Sequence, residues 1–377
     1  MAKNNRKMAY LPENALNAIC PYFTMFPLEY PLKKLKNHRK EQPVIMDPFC
    51  GRGTTLFAAR KLKMKAWGID TSPIAVAIAK AKLAQCLKNN AINLARLLVE
   101  SITPKNIPET PFFKLAYHED TLKEICALRE GLLNLEQETD ESIILKAAIL
   151  GCLHGPLSKT AENAGYFSNQ MPRTYASKPD YAVRFWNQRE LSPRKISTIE
   201  VIKRKIKRLT GLEDGEKNTP AQVIEGDAQE LKTLPEGCKD FSIVVTSPPY
   251  YGMKTYVQDQ WLRNWFLGGT PYVDYNIKPQ LNHGGQEAFA QSLGKVWDNM
   301  AQSHSESLHM YVRFGVIPSA TVDPKVLFRS SLAASKCNWK LVSTRSAKTA
   351  AEGKRQAGQM KAGSTAAVEY DFHVKRL

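Results

Sequence analysis

The chain has 377 residues, of which 43% are hydrophobic and 24% are charged, and its formal net charge is +17. These values are typical of a soluble protein with one large core, or with one core and an inserted module. The excess of Lys and Arg predicts a polyanionic partner, with nucleic acid as the first candidate. No apolar run is long enough to span a membrane, and the N-terminus lacks a signal segment. The seven cysteines are scattered and never spaced C-x-x-C, which argues against a disulfide framework and a zinc site. We therefore expect a cytoplasmic protein without a bound metal.

The first predicted elements alternate between strands and helices. A short buried strand over Pro43 to Asp47 leads into a turn, and a helix begins at Thr54. A second strand over 65–70 is followed by an amphipathic helix over 72–87, with Ser72 as its N-cap. Strand, helix, strand and helix in this order predict the start of a doubly wound parallel sheet.

Residues 86–220 interrupt this alternation and are predicted to be mainly helical. The most apolar helix is expected over 142–155, followed by a loop over 156–186 and a basic helix over 193–209. Five basic residues lie within a turn and a half of the last helix: Lys203, Arg204, Lys205, Lys207 and Arg208. This run predicts either a solvated helix face or contacts with nucleic-acid phosphates.

Strands resume in the last part of the sequence. They are predicted over 221–231 and 241–250, and three more begin at His309, Asn338 and Ala367; a helix is expected over 259–269. A polar, basic loop separates the last two strands. The predicted fold is an α/β, doubly wound, mostly parallel sheet with a mainly helical insertion. Its parts are an N-terminal half over 1–85, the insertion over 86–220 and a second half over 221–377.

The turn after the first strand has the sequence D-P-F-C-G-R-G-T-T, residues 47–55. Gly51 and Gly53 allow a sharp turn and a close approach of the backbone to a ligand. Thr54 and Thr55 are expected to cap the following helix. This turn predicts a ligand site at the start of a helix.

An acid at the end of the next strand narrows the type of ligand. Asp70 is placed to accept hydrogen bonds from both hydroxyls of a ribose, which indicates a nucleoside-like cofactor. A dinucleotide motif would require a third glycine, and position 56 is Leu. The pattern therefore disfavours a pyrophosphate. Asp227, after a later strand, is expected either to accept from an adenine amino group or to cap a helix.

The second motif is T-S-P-P-Y, residues 246–250, at the end of another strand. The Ser247 hydroxyl and the Pro248 carbonyl can accept hydrogen bonds from a planar amine and favour its tetrahedral form. Pro248 and Pro249 fix the backbone, and Tyr250 offers a flat face for a base. A duplex hides such an amine, so the target base would be flipped out.

These motifs resemble those of the DNA amino-methyltransferases, which modify cytosine N4 or adenine N6. The resemblance covers roughly 1–84 and 222–260, and it implies transfer of a methyl group from S-adenosyl-L-methionine to a base amine. The segment P-Y-F-T-M-F-P, residues 21–27, is similar to the part of the family that closes over the methionine end of the cofactor. The candidate cofactor-binding residues are Thr24, Phe26, Asp47, Phe49, Gly51, Gly53, Thr54, Thr55, Asp70, Ser72, Asp227, Ala228 and Thr246. The candidate catalytic residues are Ser247, Pro248, Pro249 and Tyr250.

The residue types favour some members of this family over others. Ser247, at the first position of the tetrapeptide, resembles the cytosine-N4 enzymes more than the adenine-N6 ones, which stay as the alternative. No proline is followed by cysteine, which disfavours cytosine-C5 chemistry. A tRNA guanine-N2 type enzyme is a further alternative, but such proteins usually carry Asp or Asn at position 247. A non-catalytic binding subunit is the rival from another class, and the two intact motifs disfavour it.

Double-stranded DNA is the expected partner, and a cognate restriction endonuclease is a further candidate. Candidate DNA-binding residues are Asn169, Gln170, Arg173, Lys178, Arg184, Lys203, Arg204, Lys207, Lys354 and Arg355. The loop over 165–184 mixes amide, basic and aromatic side chains, which either reach base edges or pack the insertion on the core. The expected location is the cytoplasm, in association with the nucleoid.

Overall fold

The structure is a computed structural model that describes residues 12–22, 27–156, 158–168, 178–212, 221–230, 234–252, 260–275, 281–317, 320–347 and 368–377. The chain divides into two compact units. The sheet unit comprises Thr24–Ala79, Asn218–Thr255 and Lys278–Leu377, and the helical unit comprises Met1–Phe23, Lys80–Lys217 and Tyr256–Ile277. The insertion predicted over 86–220 forms most of the helical unit, which also includes residues from both predicted sheet-forming halves.

The sheet unit is built on a seven-stranded sheet with the strand order β3-β2-β1-β4-β5-β7-β6. The strands are β1 Val44–Asp47, β2 Ala66–Asp70, β3 Ala221–Glu225, β4 Phe241–Thr246, β5 His309–Val316, β6 Trp339–Ser346 and β7 Val368–Arg376. The first five strands in this order, from β3 at the edge through β2, β1 and β4 to β5, are parallel to their neighbours. Strand β7 is antiparallel to both β5 and β6. The prediction of an α/β, doubly wound, mostly parallel sheet is confirmed, and the three late strands form as predicted.

The helices follow the sequence in the first part of the chain and depart from it later. They are α1 Glu29–Lys36, α2 Thr54–Lys61, α3 Pro73–Leu83, α4 Lys88–Ser101, α5 Pro111–Ala116, α6 Glu119–Leu133, α7 Asp140–Leu150, α8 Pro179–Asn187, α9 Thr198–Lys207, α10 Trp261–Phe266, α11 Gln286–Met300 and α12 Pro324–Ala333. Helix α8 occupies residues predicted as loop, so that part of the prediction is wrong. Helices α11 and α12 were not predicted.

The core of the sheet unit lies between the sheet and helices α11 and α12. Trp297 of α11 and Phe328 of α12 are fully buried, and Phe328 stacks on Phe372 of β7 with ring centroids 4.0 Å apart. The Trp297 indole donates to Ser331 Oγ at 3.0 Å, which satisfies its polar atom inside the apolar layer. This packing fixes β7 against the middle of the sheet.

The helical unit has its own apolar core. An aromatic cluster joins α5, α8 and α10, where Phe112 lies 4.7 Å from Trp261 and 5.4 Å from Trp186 between ring centroids. Helix α7 begins with a capping box in which Thr139 and Ser142 exchange side-chain and backbone hydrogen bonds. Among the described residues, no helix combines the length and apolar character that a membrane span requires.

Candidate active site

The two motifs lie side by side at one edge of the sheet. Strands β1 and β4 are parallel neighbours, with Ile45 opposite Ile243 and Met46 opposite Val244. Because parallel strands end at the same edge, the turn after β1 and the tetrapeptide after β4 are adjacent. In open α/β sheets this carboxyl edge is where ligands bind.

A buried carboxylate connects the two motifs directly. Asp47 Oδ1 accepts a hydrogen bond from Thr246 Oγ1 at 2.6 Å and from the Phe49 backbone N–H at 3.1 Å. Asp47 is 1% exposed and Thr246 is fully buried. Burial raises the pKa of Asp47 to about 6, while the hydrogen bonds from Thr246 and Phe49 oppose that rise. A hydrogen bond thereby joins Asp47, the first residue of the Gly-turn motif, to Thr246, the first residue of the T-S-P-P-Y motif.

The two glycines of the turn serve different purposes. Both have a positive φ, +49° at Gly51 and +74° at Gly53. A Cβ at Gly51 would meet no atom within 4 Å, so open space lies beside it, as close approach of a ligand requires. A Cβ at Gly53 would lie 2.9 Å from Ala79 Cβ of α3. Gly53 therefore lets α2 and α3 pack closely, a role that the sequence did not predict.

The capping prediction for Thr54 and Thr55 is wrong. The N-cap of α2 is Gly53, in the left-handed conformation, and both threonines lie buried inside the first turn. The Thr55 hydroxyl instead donates to the Val245 carbonyl of β4 at 3.1 Å. This bond adds a second connection between the Gly turn and β4.

Asp70, at the end of β2, supports the Gly turn. Its Oδ2 accepts from the Gly51 N–H and its Oδ1 from the Ser72 N–H, each at 2.9 Å. Burial raises the pKa of Asp70 to about 6, against these two backbone bonds. A carboxylate has about four lone-pair sites, so roughly two remain for further donors such as ribose hydroxyls.

The remaining cofactor candidates have local contacts. The Ala75 N–H donates to Ser72 Oγ at 3.4 Å, which confirms Ser72 as the N-cap of α3. Asp227 Oδ1 accepts from the Gln229 N–H at 2.9 Å, within a turn. The Ala228 carbonyl accepts from Asn299 Nδ2 of α11 at 2.8 Å. Phe49 packs in the core of the sheet unit. Thr24 and Phe26 are outside the described residues.

The tetrapeptide is partly buried, and its tyrosine is bonded to the late part of the sheet. Ser247 is half-buried, Pro248 is buried and Pro249 is half-buried. Tyr250 is 8% exposed, its ring lies edge-on to Phe314 at 6.4 Å, and its hydroxyl donates to Glu369 Oε1. Burial, followed by the Glu369 carboxylate, raises the pKa of Tyr250, and a hydrogen bond from Ser247 opposes that rise. Only a small part of the Tyr250 side chain is exposed and able to contact a base in this conformation. The stacking of a base on Tyr250 therefore stays a prediction.

Sequence reasoning missed two residues of this site, Glu369 and Gly315. They face each other across the pairing of β5 and β7. A Cβ at Gly315 would lie 3.1 Å from Tyr250 Cε2 and 2.8 Å from the Val368 carbonyl. Gly315 thus leaves the space that the tyrosine ring occupies. The available signal was a glycine inside a strand, which often marks the close approach of another group.

The DNA-binding candidates are only partly described. Asn169, Gln170, Arg173, Lys354 and Arg355 lie outside the described residues. Lys178 and Arg184 are exposed at the start and in the last turn of α8.

The basic run on α9 has side chains in different environments, and its contact with nucleic-acid phosphates stays a prediction. Lys203 forms an ion pair with Glu200 at 3.2 Å, and Arg204 donates to the Ala164 carbonyl at 2.6 Å. Lys203 is thus paired within its own helix, whereas Arg204 reaches another segment of the helical unit. Lys207 and Arg208 are exposed.

Comparison with known proteins agrees with the motifs. Residues 3–81 match the family model of the N6/N4 methyltransferases, described as DNA methylase. This match confirms the resemblance inferred from the motifs and supports methyltransferase activity. A search of curated protein sequences found no match. Two solved structures of the rRNA methyltransferase aviRa from Streptomyces viridochromogenes are similar, at 14% and 13% identity with TM-scores of 0.33 and 0.34. Each alignment covers 97% of this chain and 93% of that chain.

Among the described residues, no group of His, Cys, Asp and Glu is arranged to hold a metal ion.

Proposed function

We propose that this methyltransferase transfers a methyl group from S-adenosyl-L-methionine to an exocyclic amine of a DNA base, with cytosine N4 as the first candidate and adenine N6 as the alternative. The observation that carries this proposal is the 2.6 Å hydrogen bond between Thr246 and Asp47. This bond joins the residue before the tetrapeptide to the start of the Gly turn, which supports a shared site for an amine and a nucleoside cofactor.

The residues at the edge of the sheet fit this cofactor. S-adenosyl-L-methionine, when bound, supplies an electrophilic methyl group on a positively charged sulfur. Asp47 and Asp70 bring two carboxylates to the ends of β1 and β2, which suits a ligand with a cationic sulfonium and ammonium. The open space beside Gly51 allows the ligand to approach the backbone. Asp70 retains acceptor capacity for the ribose.

The tetrapeptide supplies acceptors for the amine. The Ser247 hydroxyl is half-buried, and its lone pairs are the first acceptor of the proposal. The Pro248 carbonyl is the second acceptor of the proposal. Two acceptors out of the plane of the base favour the tetrahedral amine, whose lone pair can attack a methyl group. Since these bonds strengthen as the amine leaves planarity, they act on the transition state.

The surface around α8 supports a nucleic-acid partner. Ala182 and Trp186 bury one side of this helix, whereas Tyr181 is 56% exposed and Arg184 is exposed. The Lys178 ammonium lies 5.9 Å from the ring centroid of Tyr275. Exposed aromatic rings beside cations suit a polyanion whose bases can stack, because the rings contact bases and the cations contact phosphates.

The test is transfer of radiolabelled methyl groups from S-adenosyl-L-methionine to DNA by the purified full chain, with RNA as a parallel substrate. Enzymatic digestion and mass spectrometry of the nucleosides identify the product, and sequencing of modified DNA identifies the target. We expect N4-methylcytosine in DNA and a loss of at least tenfold in rate for Ser247→Ala, with cofactor affinity retained. N6-methyladenine would select the alternative base. Methylation of RNA without DNA would contradict the proposal.

A further inference from the structure

A second group of basic side chains lies in the sheet unit, away from the tetrapeptide and the Gly turn. Five Lys and Arg residues occur in 30–41 and four in 60–65, against a single acid, Glu41. Helices α1 and α2, which end within these two segments, pack together, so the segments lie side by side. Seven of these cations are exposed, and we refer to them as the basic surface: Lys33, Lys36, Arg39, Lys40, Lys61, Lys63 and Lys65.

The basic surface lies at the amino edge of the sheet, whereas the candidate active site lies at the carboxyl edge. Lys40 precedes β1 by a few residues, and Lys65 directly precedes β2. The Ile45 N–H donates to the Lys65 carbonyl at 2.9 Å, so the starts of both strands meet here. Asp70 ends β2 at the other edge, about 17 Å from Lys65 at a rise of about 3.3 Å per residue. The length of the strands therefore separates the basic surface from a ligand at the carboxyl edge.

The protein itself does not neutralise most of these charges. Glu41 binds His38 Nδ1 at 3.0 Å, and five cations of the basic surface form no ion pair with any described residue: Lys33, Lys36, Arg39, Lys40 and Lys65. Cations stabilise the C-terminal end of a helix, but this effect falls off within the last turn, and Arg39, Lys40 and Lys65 lie outside the helices. Like charges held together repel one another and lower the stability of the compact state. A polyanionic partner would remove that repulsion.

The composition of the basic surface fits the phosphate backbone of nucleic acid. Six of its seven residues are Lys, whose ammonium contacts a phosphate as a point charge without the bidentate geometry of Arg. A membrane anchor would add exposed apolar side chains, but the apolar neighbours Leu35, Leu62 and Met64 are buried. Toward β4 the basic surface ends at the acids Glu236 and Asp240, which repel phosphates.

We infer that the basic surface is a second, sequence-independent docking site for the phosphate backbone of duplex DNA, and that it holds a segment other than the one at the carboxyl edge. This inference goes beyond the proposed function, because docking needs no methyl transfer. Each neutralised phosphate releases counterions, so the site raises the affinity for all sequences and makes that affinity depend on salt. Phosphate contacts carry no sequence information directly. A protein with a DNA site at each edge of its sheet binds two separate duplexes.

The test uses two variants of the basic surface and one matched control, all in the full chain. The first variant combines three changes: Lys36→Gln, Arg39→Gln and Lys40→Gln. The control neutralises two Lys and one Arg that are exposed elsewhere in the same unit: Lys295→Gln, Arg329→Gln and Lys336→Gln. The second variant repeats the test at other positions of the surface: Lys33→Gln and Lys65→Gln. The measurements are fluorescence anisotropy of a labelled duplex of random sequence between about 50 and 200 mM salt, native mass spectrometry with short duplexes, and sedimentation with phosphatidylserine vesicles.

We expect the first variant to reduce the slope of log K against log salt by about two to three units, and the second by about one to two, since each lost phosphate contact removes about one unit. The control loses the same charge as the first variant and should keep its slope within about half a unit of the wild type. The wild type and the control should each bind two short duplexes, and both variants of the basic surface should bind one.

Equal salt slopes for the first variant and the control would show that net charge alone governs binding, and would overturn the inference. A wild type that binds one short duplex, as both variants do, would also overturn it. Vesicle binding by the wild type that exceeds its DNA binding, and that the first variant loses, would overturn it in favour of a membrane. A wild type that shows the expected slopes and two bound duplexes but methylates no DNA would contradict the proposed function alone, and the docking site would stand.

Discussion

Replacement of Thr246 by Val tests whether the link between the two motifs stabilises the protein. Val has the shape of Thr but lacks the hydroxyl, so Asp47 loses a donor at 2.6 Å in a buried site. A hydrogen bond to a charged group contributes about 1.5–3 kcal/mol, and an unsatisfied buried group costs a similar amount. We therefore expect Thr246→Val to lower the free energy of unfolding by about 2 kcal/mol at pH 8. Thr246→Ser keeps the donor and loses one methyl group, at a cost of about 1 kcal/mol.

The difference between these two variants should depend on pH. The folded pKa of Asp47 is raised to about 6 from 3.8, so its carboxylate is ionised above about pH 6. Thr246 donates to the ionised form and opposes that rise, and its loss raises the pKa further. The gap in stability between the Val and Ser variants is therefore full above the further-raised pKa of the Val variant and narrows as the pH falls to the pKa of about 6.

Urea unfolding at pH 8 and pH 5, followed by tryptophan fluorescence, measures both effects. The Ser variant is the control for the change in volume, and similar m-values would show that the two variants unfold alike. Equal stability of the two variants at pH 8 would refute the reasoning. A gap that widens at pH 5 would show that the hydroxyl acts on some group other than the ionised carboxylate.

Three further predictions follow from the site and the surface. Gly53→Ala should lower the free energy of unfolding by about 2 kcal/mol or more in thermal unfolding, because its Cβ meets Ala79 at a positive φ. Wild-type cofactor affinity, measured by calorimetry, should fall up to about tenfold from pH 8 to pH 5, since a carboxyl with a pKa of about 6 is then about one-tenth ionised; Asp70→Asn should reduce this dependence. Lys207→Ala should weaken binding to all DNA sequences and reduce the salt slope by about one unit, whereas Lys203→Ala, in an ion pair, should not.

Local patterns in the sequence were sufficient to predict the strands and helices of the first part of the sheet unit. Alternating apolar segments predicted β1, α2, β2 and α3, and Ser72 was predicted correctly as a cap because N-caps depend on neighbouring residues alone. The capping role of Thr54 and Thr55 failed because a left-handed glycine took the N-cap instead. The choice between these arrangements depends on packing with β4, which is distant in sequence.

Two other features illustrate different reasons for failure. Helix α11 buries Phe289, Leu293, Val296, Trp297 and Met300, which are spaced at helical intervals, so its signal was present in the sequence and was overlooked. The contact of Tyr250 with Glu369 joins residues 119 positions apart, and it depends on the register of β7 on β5. A local pattern contains no information about such a register.

The position of β7 has a consequence for how the sheet is completed. Strand β7 follows β6 in the sequence, yet it lies between β5 and β6. Until residues 368–376 are in place, β5 presents an unpaired edge and β6 has no partner strand, and such edges invite pairing with other chains. Insertion of β7 closes the free edge of β5 and brings Glu369 to Tyr250, so this contact forms in the same event that moves the open edge of the sheet outward to β6.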